Sequence, residues 1–339
     1  MKPRTLTQRE LNRATLARQL LLERARVSVP RAVERLCALQ AQSAQEAYLG
    51  LWTRVAGFRK ERLTAALERR LVVRATLFRI TLHFVSAGDH PAFAAVVHKR
   101  WREGLLDEGI PVDELATRID RLASEGTFTY RDAATVAPEL GERPFRVRCV
   151  TPLVHVPPSG TWGHSRVRLT TAERWLARPA PPSTEASPLL VRRYLGAFGP
   201  ATRQDLLKFS GLRVADVDPG LEALEPRLRR FRDGQGRELV DLPRAPRPDP
   251  ARPAPVRFLP RWDALLLSHA DRTRVLPQEY TSAVITGGWV HPTFLVDGVV
   301  AGRWAHDGGK VSLEPFAPLP RSVRREVEDE AARLEAFLR

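Results

Sequence analysis

The chain has 339 residues, 43% of them hydrophobic and 27% charged, proportions that exclude a disordered chain and fit two to four units of ordinary size. No apolar run approaches the roughly 18 residues that span a bilayer, and Met1-Lys2-Pro3-Arg4 leads into a charged helical pattern rather than a secretory leader, so a cytoplasmic, nucleoid-associated protein is expected. The two cysteines, Cys37 and Cys149, have no second Cys or His at a metal-ligand spacing; neither disulfides, a metal nor another cofactor is implied.

The 54 Lys+Arg against 39 Asp+Glu leave a net charge of +15, carried almost wholly by arginine. A GC-rich codon usage accounts for arginine in place of lysine but not for the net charge. A field of this sign attracts polyanions, and guanidinium forks match phosphate oxygens, so nucleic acid is the leading partner class.

In chain order, Thr7 and Glu10 have the spacing of a capping box, flanked by Leu6 and Leu11 at hydrophobic-staple positions, and predict a helix over 7–26. A second helix starts near Pro30 and carries Val33, Leu36 and Cys37 on one face. A third covers 61–70, after which the period becomes alternating through Arg79-Ile80-Thr81-Leu82-His83-Phe84. Three helices followed by strands read as a winged helix, assigned to 1–87. The same grammar recurs over 88–177, with helices at 113–122 and 129–136, strands at 145–156 and 162–169, and a turn at Gly160. The third copy, 187–243, is the clearest: a helix ending at Gly199, a second capped through Thr202 and Asp205, a Ser210-Gly211 turn, a third helix near 218–224, and a wing over 228–242 turned at Asp233-Gly234-Gln235-Gly236. Pro-rich stretches at 178–188 and 243–255 read as linkers. The remainder, 256–339, reads as a partly β accessory region with a hairpin over 293–304, turned at Asp297-Gly298, and a closing helix over 322–338. The expected class is α+β: three tandem winged helices and this accessory region, as a monomer.

The helix at Pro30 holds the most informative anomaly, because its apolar face continues by helical spacing onto Gln40. A buried amide without partners costs about 1–3 kcal/mol, so Gln40 either caps backbone groups at the helix end or opens onto a pocket. Gln42 follows two residues later; only an ending or extended backbone could aim both amides at one site.

The stretch Leu39-Gln40-Ala41-Gln42 followed by Tyr48-Leu49-Gly50-Leu51-Trp52 resembles the catalytic region of the AlkZ-like winged-helix DNA glycosylases, which include the azinomycin self-resistance enzymes. Thr81-Leu82-His83-Phe84-Val85-Ser86, the run from Trp262 through Asp263 to Arg272, and Thr293-Phe294-Leu295-Val296-Asp297-Gly298 match in family order. The resemblance implies tandem winged helices forming a concave DNA-binding surface, excision of N7-alkylated guanines and unhooking of interstrand crosslinks made through them, with Gln40 and Gln42 as the catalytic pair. This chain has the Gln-x-Gln rather than the Gln-x-Asp form, and it departs from the family pattern at Ile80, where a glycine is expected.

The chemistry is coherent without a carboxylate. N7 alkylation makes the guanine cationic, so it leaves as a neutral base from an oxocarbenium-like sugar, and what remains is to place a water and favour the sugar's developing charge. A glutamine carbonyl can accept from that water but cannot take its proton. Such a site should act on cationic lesions and fail on neutral bases such as uracil.

Other candidates for DNA contact are Arg79 and His83, on one face of the alternating stretch; His269, Arg272 and Arg274, after the apolar Leu265-Leu266-Leu267; and Arg303 and Trp304, at the end of the hairpin. His83 reads equally as a satisfied histidine within a sheet, and the hairpin as an ordinary edge ribbon. The rival reading is a transcription regulator, since helix-turn-helix units usually read the major groove through their last helix. In the third copy that helix carries Asp216, Asp218, Glu222 and Glu225, which phosphates would repel, so it reads as scaffold. The basic surplus should then line one concave face near Gln40 and Gln42.

Overall fold

The computed structural model describes residues 3–179 and 181–339. Thr7 caps the helix Gln8–Arg18 through the full capping box with Glu10, and Leu6 and Leu11 pack together against Phe231 and Leu239. The helix stops short of the expected residue 26 because three consecutive leucines go to different cores: Leu20, at φ +57°, joins one cluster, and Leu21 and Leu22 join another. The second helix, Val29–Arg35, is also short. Cys37 adopts a left-handed conformation, φ +67°, and the chain turns into the strand Leu39–Gln40. Gln40 therefore sits on a strand, not on the helix face expected for it. Two helices follow, Ala44–Trp52, which the sequence pattern did not reveal, and Lys60–Glu68.

A five-stranded antiparallel sheet runs in the order Leu39–Gln40, Leu82–Ser86, Val72–Thr76, Leu153–His155, Leu169–Thr171. It takes strands from both sides of residue 87, where a unit boundary was expected. The alternation expected from Arg79 begins only at Leu82, because Arg79 and Ile80 are both left-handed, φ +54°, in a tight turn closed by Leu77 N–H to the Thr81 carbonyl at 3.0 Å. Ile80 thus adopts a conformation that favours glycine.

The helices His90–Asp107, Val112–Glu125 and Tyr130–Val136 follow, the last with a Thr129–Asp132 capping box. The strand expected over 145–156 is helical at its start, through Pro144–Arg146 and Val147–Val150, and extended only at Leu153–His155. In the next segment the helices Ser183–Phe198, Arg203–Ser210 and Val214–Leu224 precede the hairpin Arg229–Arg232 and Glu238–Asp241, to which Arg4–Thr5 adds a parallel strand. The Pro-rich 178–188 stretch is helical from Ser183 on.

The C-terminal part is a four-stranded sheet, Arg257–Leu259, Thr293–Val296, Val299–Asp307 and Lys310–Pro315 in spatial order, with the hairpin turn at Asp297-Gly298 as expected and the helix Arg321–Leu338 packed over it through Val327, Ala331 and Leu334. Buried bidentate pairs tie the ends of the chain together: Arg18 with Asp241 at 2.7 and 2.9 Å, and Arg54 with Asp263 at 2.8 and 2.7 Å. The fold is a mixed α+β body.

Candidate active site

The left-handed turn at Cys37 delivers Gln40 into register with His83 and Leu39 with Phe84, and the Ala41 N–H donates to the Leu82 carbonyl at 2.7 Å. Gln40 is half-buried and Gln42 exposed. The Gln40 Oε1 accepts from Arg79 Nη2 at 2.9 Å, and the Gln42 Oε1 accepts from the Leu82 backbone N–H at 3.1 Å. Both partners are pure donors, so each amide is oriented by chemistry: the carbonyl oxygen faces the 79–82 turn, with one lone pair spare, and the NH₂ group is left to donate. One turn of chain thus anchors both glutamines, Gln40 on the strand and Gln42 just beyond it.

Two buried guanidiniums flank this strand. Arg74 donates to the Ala41 carbonyl at 3.0 and 2.8 Å and to the Gln42 carbonyl at 3.0 Å. Arg79 donates to Gln40 and, through Nη1, to the Phe209 carbonyl, with its guanidinium 5.7 Å from the Phe209 ring centroid. Burial lowers both to a pKa of about 10, so both stay charged at neutral pH. His83 is buried edge-on against Phe78 and its Nδ1–H donates to the Thr81 carbonyl; burial first, then the Arg79 charge, push it down to about 3. His155 is pushed to about 3 by burial and by Arg74. Both histidines beside the strand are thus held neutral, so a single-turnover rate measured across roughly pH 5 to 8 should be flat. A step near the ordinary histidine pKa of about 6.5 would show that an imidazole takes part.

Beside the pair opens a cleft of ≈ 920 Å³. Arg79 and Ile80 form one wall; Arg100 and Trp101 come from the helix His90–Asp107, and Phe145 and Arg148 from the segment expected to be a strand. Ile80 and Phe145 are 39% and 55% exposed, unusual for apolar side chains this large. Arg148 lies 5.8 Å from the Phe145 centroid, and Arg146 is ion-paired with Glu108. A basic wall carrying a solvent-exposed aromatic ring suits a nucleic-acid strand. Sequence reasoning missed it, though Arg143-Pro144-Phe145-Arg146-Val147-Arg148 carries the interleaved basic and aromatic pattern.

A family model described as DNA glycosylase AlkZ-like matches residues 33–337. The chain belongs to this family. It is 26% identical to an interstrand DNA cross-link repair glycosylase of Streptomyces sahachiroi, over 94% of this chain and 92% of that protein. The solved structure of Streptomyces sahachiroi DNA glycosylase AlkZ shares the fold, with a TM-score of 0.82 at 21% identity, covering 98% of this chain and 97% of that one.

In this AlkZ-like chain, Arg79 and His83 among the seven side chains expected to contact DNA lie at the glutamine pair, Arg79 bonded to the Gln40 amide and His83 paired with Gln40 across the sheet. Four of the seven, His83, His269, Arg274 and Trp304, are buried within the protein. His269 is buried, its ring 3.0 Å from the Phe198 carbonyl and 3.1 Å from Ser268 Oγ, and burial pushes it to about 3. Arg274 is buried on the Pro200 carbonyl, and the Trp304 indole N–H donates inward to the Leu259 carbonyl at 2.9 Å. His83 is the satisfied sheet histidine of the alternative reading. Arg272 is half-buried on the Leu266 carbonyl, and Arg303 is neutralised by a bidentate pair with Glu314. The acidic helix Val214–Leu224 is ion-paired locally, Arg213 with Asp216 and Glu103 and Arg203 with Asp218. Among the described residues no group of three or more His, Cys, Asp or Glu is placed to hold a metal ion, and no helix is long and apolar enough to cross a membrane.

Proposed function

We propose that this chain is a monofunctional DNA glycosylase that hydrolyses the N-glycosidic bond of cationic N7-alkylguanine, including guanines tethered in interstrand crosslinks, with Gln40 and Gln42 as its catalytic residues. The observation that carries the reading is the anchoring of both amides on one turn, beside a basic cleft, with no carboxylate among the described residues bonded to either. The cationic base needs no general acid, since it departs neutral with the electron pair of the glycosidic bond, and the water that adds to the sugar releases its proton to solvent. The spare carbonyl lone pairs can accept from an attacking water and turn partial negative charge toward the sugar, while the NH₂ groups donate to DNA oxygens. The name of the curated relative supports the crosslink substrate.

Three tandem winged helices remain part of the proposal; the three-helix-and-hairpin order over 183–241 supports it best. The units would act as a monomer on double-stranded DNA. A regulator without catalysis is not favoured, because its reading helix would be the acidic, internally paired one.

The test is incubation of purified protein with a duplex carrying either a 7-methylguanine or an N7-guanine crosslink, followed by alkali to cleave abasic sites. Scission only with active protein is expected, and tight binding to undamaged DNA without scission would overturn the reading. Replacing Arg100, Arg143 and Arg148 together by Ala should weaken binding to any duplex and reduce the log–log salt slope by about 2 to 3, near 0.9 for each phosphate no longer neutralised. An unchanged slope would place the DNA elsewhere.

A further inference from the structure

The two guanidiniums on the glutamine strand are set by glycines from other parts of the chain. A Cβ at Gly160, in the turn after Leu153–His155, would lie 2.8 Å from Arg74 Cδ. A Cβ at Gly211, which ends the helix Arg203–Ser210, would lie 3.2 Å from Arg79 Cα and Cγ and 3.3 Å from its backbone nitrogen. The second contact is with backbone, which cannot swing aside as a side-chain tip can. Among the described residues Arg74 and Arg79 have carbonyl partners and no carboxylate. For packing alone an apolar side chain would serve as well or better, so the retained charge points to what the guanidiniums hold. What they hold is the strand: Arg74 its Ala41 and Gln42 carbonyls, Arg79 the Gln40 amide.

We propose that Arg74 and Arg79 are positioning residues for Gln40 and Gln42, and that Gly160 and Gly211 fix those arginines, so that the turn around 160 and the helix end at 211 are needed for the chemical step itself. The inference rests on the reading of Gln40 and Gln42 as catalytic residues. Arg79 bridges Gln40 and the Phe209 carbonyl with two separate nitrogens; a lysine ammonium in its place keeps the charge but not the planar fork. Displacement of an oriented group by about 1 Å can cost on the order of 100-fold in rate.

The experiment measures single-turnover release of 7-methylguanine at saturating protein, together with the dissociation constant for the same duplex. Gly211→Ala is expected to lose at least about tenfold in rate with affinity changed less than about threefold, and Arg79→Lys to lose a similar amount. Gly236→Ala is the control for left-handed strain: Gly236 has φ +79° with nothing within 4 Å of an added Cβ, and its variant should keep the wild-type rate. Combining Gly211→Ala with Gln40→Ala should cost little beyond Gln40→Ala, because the glycine acts through the glutamine. Three results overturn the inference: a wild-type rate in Gly211→Ala, a wild-type rate in Arg79→Lys, or losses that add in the double variant. Retained release by Gln40→Ala instead overturns the catalytic reading beneath it, so the two failures are distinguishable.

Discussion

Gln40→Ala is expected to lower the single-turnover rate of 7-methylguanine release by at least about 100-fold, the usual cost of one oriented dipole at a developing charge, while leaving duplex affinity within about threefold. The split follows from the geometry. Gln40 is half-buried on a two-residue strand, so the methyl of alanine fits without disturbing the pairing with His83, and the basic wall of the cleft is untouched. What disappears is the amide that Arg79 orients. A parallel loss of affinity and rate would make Gln40 a binding residue, and an unchanged rate would remove it from the site.

Asp263→Ala is expected to destabilise the fold by about 3–5 kcal/mol, the range for breaking a buried ion pair from one side. Asp263 and Arg54 are both 1% exposed at the side chain, and their bonds are at 2.7 and 2.8 Å. Without the carboxylate, Arg54 keeps only the Gly50 carbonyl at 3.0 Å, and its Nε already has no partner. The missing carboxylate would also leave unpaired the Leu265 N–H, which it accepts at the start of a 3-10 turn. Urea unfolding measures the effect; a loss below about 1 kcal/mol would mean that water reaches the guanidinium. The Trp262–Arg272 run, matched on family resemblance and read partly as DNA-facing, is in this respect a clamp onto the helix Ala44–Trp52 and the turn after it.

Features written by local chemistry were legible in the sequence. The caps at Thr7 and Thr202 and the Asp297-Gly298 hairpin turn are local patterns, and each appears in the structure. Gln40 stood out, but for its place on a helix that ends earlier, because pairing with Leu82–Ser86 draws residues 39 and 40 into a sheet. Arg74 carried no signal, since its partners are backbone carbonyls more than 30 positions away. The partners of His269 and Arg274 carried no signal for the same reason. A polar run after three leucines looks solvent-facing, yet the Phe198 and Pro200 carbonyls, 71 and 74 residues distant, accept those side chains in the interior. Ile80 stands where the family resemblance has a glycine, and it takes the left-handed conformation that favours glycine.

The most direct measurement compares release of 7-methylguanine and of uracil from otherwise identical duplexes by the wild-type chain under single-turnover conditions. A site built from two amides, with its histidines held neutral, should release the cationic base and leave uracil intact within detection. Equal release of both bases would contradict the account, because it would require a general acid that this arrangement of Gln40, Gln42, Arg74 and Arg79 does not contain.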